Sequence, residues 1–66
     1  MDTHDRLRAD LEPLIREVGV REVARRADLR APNISEWLAG DRTFGADILG
    51  RVAQAVGRTI VLRRSR

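Results

Sequence analysis

The fold is decided by the stretch Val20-Arg21-Glu22-Val23-Ala24-Arg25-Arg26-Ala27-Asp28-Leu29-Arg30-Ala31-Pro32-Asn33-Ile34-Ser35-Glu36-Trp37-Leu38-Ala39-Gly40. At helical spacing, Val20, Val23, Ala24 and Ala27 share one face, and Arg21, Glu22, Arg25 and Arg26 share the other. Asp28-Leu29-Arg30 breaks that pattern. A second short helix opens at Ala31-Pro32, because a proline in the first turn gives up only an N–H that has no intrahelical partner. It runs through Asn33-Ile34-Ser35-Glu36-Trp37-Leu38-Ala39 and stops at Gly40, with Ile34, Trp37 and Leu38 inward at i, i+3 and i+4.

Two short helices joined by a tight turn form the helix-turn-helix pattern, here about residues 20–39. Its physical demands are met one by one. A close helix crossing needs a small inward residue, and Ala24 supplies it; Leu29 can plug the space beside the turn. The outward positions at the start of the second helix must reach into a groove, and these are Arg30, Ala31, Pro32, Asn33, Ser35 and Glu36.

Working outward, Thr3 to Val18 reads as one helix with Leu7, Leu11, Leu14, Ile15 and Val18 as its apolar stripe. Pro13 lies inside it, so a fault near Asp10 is expected: a kink, or a second segment capped by Asp10. Asp41-Arg42-Thr43-Phe44-Gly45 is a polar connection with one aromatic. A helix from about Ala46 to Val56 follows, striped by Ile48, Leu49, Val52, Ala53 and Val56 and ended by Gly57. The β-branched run Thr59-Ile60-Val61 with Leu62 and Arg63 reads as a strand, about residues 58–64.

Composition narrows the function. Sixty-six residues are one compact domain or a fragment of one; as a single helix-turn-helix domain, 1–66, the chain is expected to be of marginal stability alone. With no cysteine and only His4 as histidine, disulfides, metal sites and imidazole catalysis lack raw material. No nucleophile–base pair is apparent, so no enzyme is expected and no cofactor. All thirteen basic residues are arginine. Residues 1–20 hold three of them against five acids, and residues 21–66 hold ten against five, so the positive field belongs to the middle and the C-terminal end. That points to a polyanionic partner. The N-terminus is acidic and polar, and no stretch nears the roughly 20 apolar residues that cross a bilayer, so the expected location is the cytoplasm, without a membrane partner. Trp37 and Phe44 are the only aromatics, which disfavours single-strand binding by base stacking.

The spacing Val23-Ala24, Asp28-Leu29, Ile34-Ser35, Gly40-Asp41-Arg42 resembles the helix-turn-helix core of phage repressor and Cro proteins, the Xre type. Phe44 to Gly57 is similar to the helix that follows that core, so the resemblance covers residues 7–57. It implies a mainly α, four- to five-helix domain with one C-terminal strand that pairs across a dimer. Asp28 stands where the family often has a turn glycine, which an Asp tolerates because it adopts left-handed angles. Val20 stands where a polar residue often touches phosphate, and Arg21 is its replacement. The resemblance also implies backbone contacts from the loop after the third helix, at Arg42 and Thr43.

Each residue has a plainer reading. Arg21, Arg25 and Arg26 are a solvated face paired with Glu22, Asn33 an exposed early-helix residue, Arg30 a turn residue, Trp37 core and His4 an ordinary terminal residue. A Glu such as Glu36 is repelled by phosphates unless it accepts from a cytosine amino group. A lone strand leaves its backbone unpaired, and the economical solution is the same strand of a second copy, through Thr59, Ile60, Val61, Leu62 and Arg63, with a frayed tail as the alternative. The expected function is sequence-specific double-stranded DNA binding by a homodimer, a transcriptional regulator or repressor on a palindromic operator. The alternatives are a DNA-binding antitoxin that also holds a toxin protein, and a protein-interaction module that has lost DNA binding.

Overall fold

A computed structural model of the protein describes residues 3–58, and in these the chain is mainly helical. Four helices follow one another: α1 (Thr3–Val18), α2 (Val20–Ala27), α3 (Ala31–Leu38) and α4 (Ala46–Ala55). No strand occurs among the described residues, and the strand expected at about 58–64, with Thr59 to Arg63, falls almost wholly outside them.

The helices close around α2, which packs against α1, α3 and α4, while α1 also meets α3. The core takes Leu11 and Ile15 from α1, Val23, Ala24 and Ala27 from α2, Ile34 and Trp37 from α3, and Leu49, Val52, Ala53 and Ala55 from α4. Each buried large apolar side chain contributes about 1.5–3 kcal/mol relative to exposure, and Trp37, Ile15, Ile34, Val23 and Val52 are sealed completely. Ala24 and Ala27 let the neighbouring helices approach α2 because they carry only a methyl group.

The structure sharpens two readings. α1 runs from Thr3 to Val18 through Pro13 as the one helix expected, and of the two expected forms of fault the second segment starting at Asp10 does not occur. The carbonyl that Pro13 leaves without an N–H belongs to Ala9, and both residues are exposed, so the position is open to water. Phe44 is also more than part of a polar connection. It is buried and stacks on Trp37 with ring centroids 5.5 Å apart and planes 19° apart, the offset geometry that aromatic pairs favour.

The turns follow their residues. Gly19 separates α1 from α2 at φ 103°, a backbone region closed to side chains, which lets α2 start one residue after α1 ends. Asp28 sits in the left-handed region at φ 58°, ψ 50°, as a short polar side chain allows. Its N–H bonds the Arg25 carbonyl at 3.3 Å and the Leu29 N–H bonds the Ala24 carbonyl at 2.8 Å, closing α2 and turning the chain toward α3.

Arginine side chains tie the helices together. Arg51 of α4 donates to the Ala27 carbonyl from Nε at 2.9 Å and from Nη2 at 2.7 Å, and to the Asp28 carbonyl at 3.0 Å. In return, Arg26 of α2 donates Nη1 to the Ala55 carbonyl of α4 at 3.0 Å. Each helix thus supplies a cation to the negative end of the other. Arg8 of α1 donates Nε to the Trp37 carbonyl at the end of α3, and its guanidinium carbon lies 5.5 Å from the Trp37 ring centroid.

Candidate nucleic-acid interface

Ile34 and Trp37 pin α3 to the core by one side, and that fixes which side faces out. Pro32, Ser35 and Glu36, spaced at i, i+3 and i+4, are exposed together, and Asn33 and Ala31 are half-buried at the edge of that face. Ala31 also packs against the core, so only part of it is open to a ligand. The Asn33 amide and the Ser35 hydroxyl have no hydrogen-bond partner among the described residues, leaving a donor and an acceptor unpartnered on each, on an exposed residue at Ser35 and a half-buried one at Asn33.

Arg30 is the N-cap of α3, with extended backbone at φ −90°, ψ 136°. Its carbonyl accepts from the Asn33 N–H at 3.0 Å, its side chain is exposed, and no acidic residue occupies the first turn of α3. The positive end of the α3 dipole therefore meets an added cation rather than a carboxylate. Arg21, on the second residue of α2, is exposed and, like Arg30, makes no ion pair among the described residues.

Arg42 and Thr43 are exposed in the segment after α3. Arg42 reaches back to α3: its Nε donates to Glu36 Oε1 at 3.0 Å. Of the residues expected at the interface, Glu36 and Arg42 are thus in direct contact.

The other arginine face of α2 is committed elsewhere. Arg25 and Arg26 both bond Glu22, whose carboxyl is lowered from 4.5 to about 2, chiefly by the Arg25 hydrogen bond and then by that from Arg26. The same bond raises Arg25 above its ordinary value. Two of the three charges on Arg25, Arg26 and Glu22 cancel locally, and Arg26 spends a further donor on α4.

Sequence reasoning did not single out Arg8 or Arg51, nor the buried role of Phe44. Arg51 carries a weak signal in Asp47 one turn earlier, but that pair spans 4.0 Å while the backbone carbonyls of α2 hold the guanidinium. A contact to a backbone carbonyl leaves no trace in residue type. Arg26, Arg51, Gln54, Ala55 and Gly57 line a cleft of about 330 Å³, open to solvent, whose arginines are the helix-binding ones just described. Among the described residues no cluster of three His, Cys, Asp or Glu is placed to hold a metal, and no helix is long and apolar enough to cross a membrane. Comparison with protein-family models, curated proteins and solved structures finds no match to this chain.

Proposed function

We propose that α2 and α3 form a helix-turn-helix that binds double-stranded DNA, with α3 as the helix that enters the major groove. The observation that carries the reading is the outer face of α3. An eight-residue helix is anchored by two fully buried side chains and turns out an unpartnered Asn33 amide and Ser35 hydroxyl. Asn is suited to bond adenine N6 and N7 bidentately, and a serine hydroxyl bonds several base edges. Arg30, Arg21 and Arg42 with Thr43 are the phosphate-contacting groups around it, and Pro32 and Ala31 present apolar surface at its leading end. The protein acts in this reading as a homodimer joined through Thr59 to Arg63, a regulator that occupies a two-fold symmetric operator. It resembles Xre-type repressors in that respect.

Selection of bound sites from random duplex DNA tests the reading. A palindromic consensus is the expected result. Absence of any enriched sequence, with retention no better than that of an unrelated basic protein, overturns it. Pro32 and Glu36 on the same face favour the competing reading, a module that meets protein instead of DNA, and that outcome leaves it standing.

A further inference from the structure

We propose that Glu36 is a positioning residue for DNA binding: it holds Arg42 by one edge so that the other edge meets a backbone phosphate. The inference rests on the DNA-binding reading and assigns Glu36 a part within it. A carboxylate on the exposed face of α3 is otherwise an anomaly there, because it repels the phosphates on either side of the groove. The contact geometry resolves the anomaly. Glu36 engages the guanidinium through Nε alone, at 3.0 Å, and neither Nη nitrogen of Arg42 has a partner among the described residues.

A guanidinium is a planar fork with five N–H donors, and a phosphate takes two of them side by side. With Nε occupied by Glu36, the Nη pair points away as a preformed two-donor edge. Arg42 belongs to the segment that follows α3, where it has no other anchor, and a free arginine there would lose rotamer entropy on meeting phosphate. Glu36 removes part of that loss before DNA arrives. The side chains are 43% and 49% exposed, so water still reaches the pair and a phosphate oxygen can displace it at the Nη edge without breaking the Nε bond. In this arrangement Oε1 of Glu36 is taken by Arg42, and the inference assigns the carboxylate to positioning Arg42 rather than to a cytosine amino group.

Glu36→Ala, Glu36→Gln, Arg42→Ala and the double variant Glu36→Ala/Arg42→Ala are to be titrated with duplex DNA, random and selected, across a salt series. Positioning predicts that Glu36→Ala weakens binding to both DNAs alike, in spite of removing a negative charge. It also lowers the salt slope, by no more than the loss of about 0.9 per half-site that Arg42→Ala gives, the latter equivalent to a change of about 3.5-fold between about 50 and 200 mM salt. Glu36→Gln, whose amide oxygen still accepts from Nε, retains the slope, and the double variant matches Arg42→Ala. Tighter binding by Glu36→Ala and Glu36→Gln means that the carboxylate only repels DNA, and loss confined to the selected site means that it reads a base. Either result overturns the inference while leaving DNA binding intact. A wild-type protein that binds no duplex even at low salt overturns the inference together with the functional reading beneath it.

Discussion

Arg51→Met is expected to destabilise the fold without touching the face proposed to meet DNA. The arginine closes the end of α2 from across the bundle, with three hydrogen bonds of 2.7–3.0 Å to the Ala27 and Asp28 carbonyls. An eight-residue helix depends on such partners, since in its last turn the N–H groups of Asp28 and Leu29 serve only the Arg25 and Ala24 carbonyls and leave that of Ala27 to Arg51. Hydrogen bonds to a charged group contribute about 1.5–3 kcal/mol, and a cation at a helix C-terminus about 0.3–1 kcal/mol. Arg51 is 38% exposed, so water replaces part of what methionine cannot supply, and a net loss of about 1–2 kcal/mol is expected.

A domain of this size has about 3–10 kcal/mol in all, so the loss is a large share of it. At about 4–8 °C per kcal/mol, the thermal midpoint should fall by roughly 4–16 °C. Methionine keeps the apolar stem packed, which separates the donors from the packing. Trp37 is the one tryptophan and is fully buried, so its fluorescence reports unfolding beside far-UV circular dichroism. Arg51→Lys keeps the charge but not the fork and should recover less than half of the loss. Urea midpoints for Arg51→Met within about 0.3 kcal/mol of the wild type would show that water serves those carbonyls equally well, and would refute the reasoning.

Asn33→Ala is expected to cost about 1–3 kcal/mol on the selected site and to relax preference at one base pair; equal losses on selected and random DNA contradict base reading. Glu22 should make the fold acid-sensitive. Its carboxyl is lowered in the folded state to about 2 from 4.5, so the stability it contributes is present above about 4.5 and disappears as pH falls toward 2. Urea midpoints of wild type and Glu22→Gln should therefore differ at neutral pH and converge through that window; a constant gap rules Glu22 out as the cause. Val61→Pro removes a ladder N–H from the strand expected to join two copies and should leave a monomer with folded helices in sedimentation. Since half-sites lie about 34–36 Å apart, that monomer should also lose most of its DNA affinity. A dimeric Val61→Pro protein moves the interface elsewhere.

The helices were legible because their signals are local. The stripes of α1, α2, α3 and α4 recur at 3.6-residue spacing, and Gly19 and the pair Ala31-Pro32 mark boundaries by backbone chemistry that no neighbour alters. Asp28 was legible for the same reason, as a residue able to adopt the left-handed angles the turn uses. Phe44 was not, because a lone aromatic in a polar run has no periodicity; only the tertiary placement of Trp37 decides that it is buried. Pro13 left two outcomes open, a kink or a split, because its local cost is real; the exposure of Ala9 and Pro13 keeps that cost small enough for one helix. On the candidate site, spacing alone gave the outward positions of α3. The Glu36–Arg42 contact crosses six residues and a change of chain direction, which no helical period encodes.

The arginines show why net charge is a coarse guide to a partner. Of those between Arg21 and Arg51, Arg25 and Arg26 share Glu22, Arg42 is paired with Glu36, and Arg51 holds two backbone carbonyls. Binding a carbonyl leaves a cation's charge in place, whereas binding a carboxylate cancels it at a distance. Among the described residues of this stretch the uncancelled charge therefore lies on Arg21 and Arg30, on Arg51 with Asp47 4.0 Å away, and as one unit left over on the Arg25–Arg26–Glu22 cluster. A field that sparse gives weak purchase on arbitrary phosphate chains, and in the proposed reading affinity would depend on contacts that only a matching site completes, with the half-sites of the proposed dimer adding theirs. Arginine suits both employments for one reason. Its fork can donate one edge to the protein and keep another two-donor edge for a ligand, whereas the lysine ammonium, though it has three donors, offers no planar edge. In the proposed DNA-binding reading, the face around α3 is therefore better fitted to discriminate among DNA sequences than to hold DNA in general.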